Sequence, residues 1–248
     1  MEGFYGERLF LFLLIRSDIQ VSISQGLFIT GTDTEIGKTY VAGLFARACA
    51  GIMPVTYLKP VQTGCTVDEN GKLWAPDFEY LKGFLTIRHV DYAAHVPYRF
   101  RPACSPHCAA KMAGEEISIQ KIQKSYANLA RDTTFVLVEG AGGILVPVND
   151  YQTMLDIMKH LALPVVLVTS PKLGTLNHTL MSLEMLKQNG LSLAALVFNN
   201  AHNREKDFIY KNNLETLQKS IAPAPFLEID YTTDVPQQLK DLCNELKK

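Results

Sequence analysis

Three consecutive residues, Gly37, Lys38 and Thr39, have the types and the order that bind a phosphate group. The usual phosphate-binding loop reads G-x-x-x-x-G-K-[S/T], but here Thr32 occupies the first glycine position, and the nearest glycine, Gly31, comes one residue earlier. An apolar strand pattern precedes this stretch and a helical pattern follows it, which is the context such a loop requires. We therefore interpret it as a phosphate-binding loop in which Thr32 has ordinary backbone angles. The alternative is a helix start that contains Gly-Lys-Thr by chance.

This loop predicts a site for a magnesium-bound nucleotide. A glycine at position 37 lets the backbone approach a phosphate without a clashing side chain. The successive N–H groups at a helix N-terminus favour an anion. Lys38 would reach the β- and γ-phosphates, and the hydroxyl of Thr39 would hold Mg²⁺.

Ionisable residues also stand near the ends of later apolar stretches. Lys59 predicts a nearby anion, because an unpaired ammonium is costly to bury; the alternative is a lysine whose head reaches solvent. Glu139 ends a hydrophobic stretch just before Gly140–Gly143 and would complete the Mg²⁺ environment. Asp77 opens a predicted helix, so it is either a second carboxylate for the metal or a simple N-cap.

Two further stretches carry polar groups that could meet a ligand. An asparagine such as Asn199 or Asn200 at a strand end offers both an acceptor and a donor to an adenine edge, although asparagine is also a common turn residue. The stretch Lys172–His178 leads into a helix N-terminus, which predicts a second anion site or an ordinary turn containing Gly174.

The elements that must position these residues alternate along the chain. Strands are predicted at Gly26–Thr30, Val55–Pro60, Thr134–Gly143, Leu163–Ser170, Leu193–Asn200 and Ala224–Ile229. Helices are predicted at Thr39–Ala50, Asp77–Leu85, Ser118–Arg131, Thr175–Gln188 and Arg204–Ser220. Strands this apolar have both faces covered, and strand–helix alternation indicates one α/β domain with a doubly wound, mainly parallel sheet and helices on both faces. Ligands of such sheets bind at the carboxyl ends of the strands, where every motif above falls.

The first 25 residues are predicted to be an extension ahead of a domain that spans residues 26–248. Their apolar run, Leu9–Ile15, is far shorter than the about 20 residues of a membrane span and lacks the basic start and the small-residue cleavage site of a secretory signal. An overcalled start codon, or an additional strand or helix, would explain it equally well.

Composition favours a small-molecule enzyme of the cytoplasm. The chain is 47% hydrophobic and 20% charged with a net charge of −1, so nothing attracts nucleic acid or an anionic membrane. Its five cysteines are scattered, which predicts reduced thiols. Cys104, His107 and Cys108 lack the fourth ligand of a structural zinc site.

Several motifs together resemble one known family. GTDTEIGKT (Gly31–Thr39), KPVQTG (Lys59–Gly64), SPH, VEGAGG, KLGTLNH and PAP occur in this order between Gly26 and Tyr231, and together they resemble dethiobiotin synthetase. The loop of that family also places Gly-Thr-Asp-Thr-Glu before Gly-Lys-Thr, so the unusual spacing is a family trait. The resemblance implies an ATP-dependent cyclo-ligase that converts 7,8-diaminononanoate and CO₂ (or bicarbonate) into dethiobiotin, ADP and phosphate in biotin synthesis. It also implies Mg²⁺ as cofactor, ATP as co-substrate and a homodimer with its active site at the interface.

The resemblance also implies roles for individual residues. Lys38 and Lys59 would be catalytic, neutralising a carbamate and the transferring phosphoryl group. The implied Mg²⁺ ligands are Thr39, Asp77 and Glu139. The implied ATP contacts are Glu35, Ile36, Gly37, Lys38, Thr39, Tyr40, Glu139, Gly140, Ala141, Gly142, Asn199, Asn200, Ile229, Asp230 and Tyr231. The implied substrate contacts are Thr34, Thr63, Gly174, Thr175 and Asn177, of which the last three belong to a helix start of the partner subunit, and Glu35 would also face the substrate amines.

Three alternatives use a similar nucleotide domain. A partition or cell-division switch ATPase carries a signature lysine early in its loop, where this chain has Asp33. An amidating enzyme of cobalamin synthesis usually carries an additional glutamine-hydrolysing domain, for which the chain has no room. A non-catalytic nucleotide-binding relative would not need Lys38, Lys59 and Glu139. The sequence leaves the choice among ATP, CTP and GTP open, because the family's usual Gly-x-Ile-Pro run is replaced by LEIDYTT at Leu227–Thr233.

Overall fold

A computed structural model of the chain describes residues 26–86, 90–132 and 135–247, so the predicted N-terminal extension lies outside the described residues. The strands are β1 (Gly26–Gly31), β2 (Val55–Leu58), β3 (Val61–Gln62), β4 (Thr66–Val67), β5 (Leu73–Trp74), β6 (Tyr98–Arg99), β7 (Phe135–Gly143), β8 (Val165–Thr169), β9 (Leu193–Asn200) and β10 (Phe226–Asp230). Six of them form one sheet in the order β10-β9-β8-β1-β7-β2, in which every neighbouring pair is parallel. The predicted parallel α/β sheet is therefore confirmed.

Helices cover both faces of this sheet. They are α1 (Lys38–Ala50), α2 (Pro76–Leu81), α3 (Tyr92–His95), α4 (Pro106–Met112), α5 (Ile119–Asp132), α6 (Met154–Leu161), α7 (Thr175–Gln188), α8 (Phe208–Ser220) and α9 (Gln237–Leu246). Alternate residues of β1 point to opposite faces: Leu27 and Ile29 join the core beneath α1 and α9, whereas Phe28 joins the core beneath α5 and α8. Each fully buried side chain of this kind stabilises the fold by about 1.5–3 kcal/mol, which is why these strands are apolar throughout.

The boundaries of the predicted elements follow from local chemistry. The helix expected from Arg204 begins at Phe208, because the carboxylate of Asp207 accepts a hydrogen bond from the Tyr210 N–H and caps the helix. Helix α6 was not predicted, although Thr153 and Asp156 form a capping box at its start. Helices α3, α4 and α9 are additional as well.

The parallel arrangement brings the carboxyl ends of all six strands to one edge. The residues just after β1 join this edge directly, since the Thr32 N–H donates to the carbonyl oxygen of Val168 in β8 at 3.0 Å. Two short sheets, β3 with β6 and β4 with β5, lie outside the central sheet. Over the described part of the chain, every helix is too short or too polar to span a bilayer.

A buried histidine links α3 to β2. His95 is 1% exposed, its ring stacks on Phe78 with centroids 4.9 Å apart, and its Nδ1 lies 2.6 Å from the carbonyl oxygen of Tyr57. Because a carbonyl only accepts, Nδ1 carries the hydrogen. Burial lowers the pKa of His95 below its ordinary value of 6.5, and the hydrogen bond to Tyr57 offsets this only in part.

This histidine makes stability fall in mild acid. Below pH 6.5 the unfolded chain protonates His95 and the folded chain does not, so the free energy of unfolding decreases by up to about 1.4 kcal/mol per pH unit until the lowered pKa is reached. We expect His95→Asn, which keeps a donor but does not titrate, to flatten this dependence. Urea unfolding at pH 7.5, 6.5 and 5.5 measures both slopes, and equal slopes for the two proteins contradict the assignment.

Candidate active site

The phosphate loop has a backbone that only glycine fits at position 37. Gly37 precedes α1 with φ 84° and ψ 30°, in the left-handed region that disfavours other residues. A Cβ atom there would lie 2.1 Å from the side-chain nitrogen of Asn199. Among the described residues other than glycine, only Glu35, Ala162 and Asn203 have a positive φ, so the backbone of Thr32 is ordinary. The first glycine of the usual pattern is therefore dispensable here.

Lys38 lies folded against this loop. Its side chain is buried, and its Nζ donates to the carbonyl oxygen of Asp33 at 2.7 Å. Burial and, next, the positive charge of Lys59 lower the pKa of Lys38 to about 8, although Glu139, Asp77 and Asp33 act in the opposite direction. Two neighbouring ammonium groups with little solvent around them make a site that an anion stabilises.

The predicted metal ligands and Lys59 form one cluster, in which Lys59 and Glu139 are buried and Thr39 and Asp77 are half-buried. The Nζ of Lys59 lies 2.7 Å from Glu139 Oε1 and 2.7 Å from Asp77 Oδ2, and the hydroxyl of Thr39 donates to Glu139 Oε1 at 2.8 Å. Burial alone would lower the pKa of Lys59, but the charges of Glu139 and Asp77 outweigh burial and raise it above its ordinary value. The pKa of Asp77 is lowered, since Lys59 outweighs the effect of burial. Four chain segments, β2, α1, α2 and β7, thus converge on one charged centre.

Tyr57 is a part of this cluster that sequence reasoning missed. Its side chain is fully buried, and its hydroxyl donates to Glu139 Oε2 at 2.8 Å. Burial, followed by the charge of Glu139, raises the pKa of Tyr57 well above its ordinary value. The signal was available, because residues two apart on a strand share a face and Tyr57 stands two before Lys59. The phenol leaves only Oε1 of Glu139 facing Lys59 and Thr39.

Removing this hydroxyl is expected to destabilise the protein. In Tyr57→Phe the ring stays, but a carboxylate oxygen of Glu139, a residue 1% exposed, loses its donor, so the free energy of unfolding should fall by about 1–3 kcal/mol. Urea unfolding measures the change. The control Tyr151→Phe, at a residue 90% exposed, should change it by less than about 0.5 kcal/mol. A Tyr57→Phe protein as stable as the parent contradicts this role.

The donor set of the cluster fits Mg²⁺ that arrives with a nucleotide. Mg²⁺ prefers one or two carboxylates together with phosphate oxygens and waters, and Asp77, Glu139 and the Thr39 hydroxyl supply two carboxylates and one hydroxyl within a shared hydrogen-bond network. In the described ranges no three histidines, cysteines or carboxylates form a metal site by themselves. A metal here would need oxygens from a ligand.

Next to Glu139, three residues predicted to contact ATP end β7 and pack closely against the protein's own side chains. Gly140 faces Phe28 and Met154, where a Cβ would lie 3.1 Å and 3.3 Å from side-chain atoms. Gly142 has φ 66°. Ala141, between them, packs partly buried against the core. All three residues belong to the last part of β7, and their contact with phosphates stays a prediction.

At the predicted base end, the two asparagines already hold other groups. Asn199 is buried, and its Nδ2 donates to the carbonyl oxygen of Ile36 in the loop at 2.8 Å. Asn200 is buried too, and its Nδ2 donates to Asp230 Oδ1 at 2.9 Å. Their roles toward adenine therefore stay predictions, and each amide also fixes the loops around it.

Two tyrosines border a groove beside these asparagines. Tyr40 and exposed Tyr231 stack with centroids 6.0 Å apart, and the hydroxyl of Tyr40 accepts from the Thr232 N–H at 2.8 Å. They line a groove of about 400 Å³ together with Arg47 and Tyr80. By contrast, Ile229 is buried in the core, so its side chain faces away from this groove.

Three of the predicted substrate contacts lie in the phosphate loop or after Lys59. Thr34 and Glu35 are exposed, and Thr34 donates through its backbone N–H to Asp33 Oδ1 at 2.7 Å. Thr63 is half-buried in the stretch after Lys59. This placement leaves the loop residues free to meet a ligand.

The predicted substrate residues of α7 sit at the helix start. Gly174 is the N-cap, with φ 89°, and Asn177 is exposed. The buried hydroxyl of Thr175 shares a hydrogen bond with Thr169 at 2.8 Å, so an anion here would meet backbone N–H groups and Asn177 rather than that hydroxyl. The structure of this chain does not bring these residues into contact with Lys38 or Lys59.

Comparison with known proteins gives sequence relatives over most of the chain. A family profile described as an AAA domain matches residues 25–237. A protein of Fusobacterium nucleatum named ATP-dependent dethiobiotin synthetase BioD is 41% identical over 174 residues, which cover 70% of this chain and 78% of the relative. Proteins of the same name from Haemophilus ducreyi (there BioD 2) and Halalkalibacterium halodurans are 38% and 35% identical, covering 79% and 88% of this chain and 91% and 90% of the relatives.

Solved structures share the fold at much lower identity. The septum site-determining protein MinD of Pyrococcus horikoshii, complexed with Mg-ADP, has a TM-score of 0.51 and 16% identity, covering 90% of this chain and 88% of the other. A plasmid partition protein of Borrelia burgdorferi has a TM-score of 0.55 and 10% identity, covering 90% and 96%. At these identities the likeness shows the fold alone.

Proposed function

The chain belongs to the ATP-dependent dethiobiotin synthetase family, and from this premise we propose how its site closes the ring of dethiobiotin. It is an ATP-dependent enzyme of biotin synthesis that acts on a diaminononanoate. In the proposed route, one amine of 7,8-diaminononanoate captures CO₂ as a carbamate, and ATP phosphorylates the carbamate. The second amine then attacks the mixed anhydride, which closes the cyclic urea and releases phosphate.

The observation that carries this proposal is the pair of buried lysines beside a glycine-lined loop. Carbamate formation, phosphoryl transfer and anhydride cleavage each create or move negative charge. Lys38 and Lys59 are both buried, and the charge of Lys59 acts on Lys38. Cations prepared in a site with little water stabilise such charge far better than they would in solvent.

Each group of the site has a task in this scheme. Lys38 and the N–H groups that open α1 hold the β- and γ-phosphates, and Lys59 holds the carbamate oxygen against the γ-phosphate. When bound, Mg²⁺ neutralises phosphate charge, and Thr39, Asp77 and Glu139 would hold it. The nucleobase lies toward Asn199 and Tyr231, and ATP is the proposed nucleotide.

We also propose that two copies of the chain complete the substrate site. Beside the loop, a groove of about 400 Å³ is lined by Thr32, Asp33, Leu145, His178 and Met181, among others. Its apolar members Leu145 and Met181 are 53% and 62% exposed, and Leu173 at the start of α7 is 96% exposed. A second copy seated here would cover this apolar face, and its residues 174–177 would cap the substrate carboxylate.

The remaining proposals concern the compartment and the boundary of the domain. All five cysteines are free thiols, which supports a reducing, cytoplasmic setting. The catalytic domain is proposed to begin near Gly26, where β1 begins, with residues 1–25 as an extension.

Product analysis by mass spectrometry tests the function. Purified protein is mixed with Mg-ATP, ¹³C-bicarbonate and 7,8-diaminononanoate, and each component is omitted in turn. Dethiobiotin that requires all four and carries the label in its urea carbon is the expected result. ATP hydrolysis without dethiobiotin contradicts the proposal and favours a switch ATPase with the same fold. The Lys38→Gln protein serves as the inactive control.

A further inference from the structure

The contacts of Lys59 imply that it competes with the metal. We propose that the Lys59 ammonium and Mg²⁺ use the same two carboxylate oxygens, so that Mg²⁺ binds this protein by displacing Lys59, and does so only when a polyphosphate or carbamate anion draws the ammonium away. This inference rests on the proposed function, because it concerns the metal ligands of that site. It adds an order of events in which the anion comes before the metal.

Lys59 contacts the same carboxylate oxygens that the metal would need. Lys59 Nζ lies 2.7 Å from Asp77 Oδ2 and 2.7 Å from Glu139 Oε1. These are the only carboxylates among the three proposed Mg²⁺ ligands, and the third, Thr39, donates its hydroxyl to the same Glu139 Oε1. An ammonium and a divalent cation cannot both lie against these two oxygens. The two cations would then be so close to each other, with little solvent between them, that they repel strongly.

Glu139 cannot offer a different oxygen to the metal. Its Oε2 accepts from the hydroxyl of Tyr57 at 2.8 Å. Tyr57 is fully buried and packs on Phe78 with ring centroids 6.2 Å apart, so the phenol does not turn away without disturbing the core. Glu139 is therefore held in one orientation, with Oε1 toward Lys59.

The Lys59 ammonium has favourable partners other than the two carboxylates only when an anion is bound. Apart from the carboxylates, its described contact is the carbonyl oxygen of Gly140 at 3.4 Å, which is too weak to replace two ion pairs. Lys38 is its nearby cation and repels it. A phosphate or carbamate between the two lysines supplies new charge-assisted hydrogen bonds and frees both carboxylates for the metal.

Calorimetric titration with MgCl₂, and with MnCl₂ as a spectroscopic substitute, tests the exchange without relying on turnover. For the parent protein without nucleotide we expect no saturable site at sub-millimolar metal. Lys59→Met removes the competing charge at similar length, and we expect its affinity for the metal alone to rise at least about tenfold. The double variant Lys59→Met with Asp77→Asn should lose this gain, and Lys82→Met, which removes an exposed lysine paired with Glu79, should show none.

Two results overturn the proposal. One is tight one-site metal binding by the parent protein without nucleotide, a measurement that needs no variant. The other is a folded Lys59→Met protein with no gain in metal affinity. If that variant does not fold, Lys59→Gln replaces it, because glutamine is also uncharged but can still donate to a carboxylate, and we expect the same gain in metal affinity. Formation of dethiobiotin by the parent protein is assayed separately. If the metal does not exchange with Lys59 but dethiobiotin still forms, the proposed function stands. If dethiobiotin forms equally well without Mg²⁺, the metal site itself is wrong.

Discussion

Replacing Lys38 with glutamine is expected to lower phosphate release and dethiobiotin formation by at least about 10³-fold, because a buried cation that meets transferring phosphate is among the largest contributions to such catalysis. The folded state should survive. Lys38 makes one hydrogen bond, to the Asp33 carbonyl, and burial and the charge of Lys59 lower its pKa to about 8. Its charge is therefore poorly stabilised until a phosphate arrives, and a neutral side chain is tolerated there.

Steady-state phosphate release, together with mass spectrometry of the product, measures this effect. Circular dichroism and urea unfolding of the same preparation show whether the fold is intact. A surface change, Lys219→Gln at the exposed end of α8, controls for the loss of a lysine as such. Near-normal turnover by a folded Lys38→Gln protein would remove the phosphate-loop assignment.

Replacing Lys59 with glutamine is expected to slow ring closure by a similar factor and, in contrast, to destabilise the protein. Lys59 balances the negative charges of Asp77 and Glu139, and Glu139 is only 1% exposed. Removing one partner of a buried ion pair costs about 3–5 kcal/mol. Mg-ADP should restore much of this stability by binding the folded state, but it cannot restore the positive charge that we propose holds the carbamate.

The two effects are separated by measuring them under the same conditions. Thermal unfolding with and without Mg-ADP reports stability, and the rate of labelled dethiobiotin formation at saturating Mg-ATP reports chemistry. The expected pattern is a recovered unfolding midpoint with turnover still lost. Unimpaired ring closure would show that Lys59 has no part in carbamate chemistry, and unchanged stability without ligand would contradict its role as counter-ion.

The sequence predicts the sheet well because buried strands consist almost entirely of apolar residues. Strands buried on both faces are continuously apolar, so β9 is predicted at Leu193–Asn200, where it is observed. Helix α7 is likewise predicted with its observed bounds. The charged motifs follow the strands, so their place at one edge of the sheet could be anticipated from the parallel topology.

The contacts inside the site could not be anticipated in this way. Lys59 and Glu139 are 80 residues apart along the chain, and Asn199 and Ile36 are 163 apart, so each pairing depends on the spatial order of the strands, which periodicity does not encode. Asp77 is ambiguous locally as well, since an acid at a helix start is also a good cap. Its contact with Lys59 arises because α2 packs beside α1, a tertiary arrangement.

The order of the strands places two sets of proposed site residues in different halves of the sheet. Lys38, Lys59 and Glu139, which we propose for phosphoryl chemistry, lie in or follow β1, β2 and β7, neighbours on one side. Residues 174–177, proposed for the partner's substrate, and Asn199 and Tyr231, proposed for the base, lie in or follow β8, β9 and β10 on the other. Inherited changes in the second half can therefore alter which base or which acid is recognised while the reacting centre is left unchanged. A lineage with this architecture can acquire new specificities without rebuilding its catalyst.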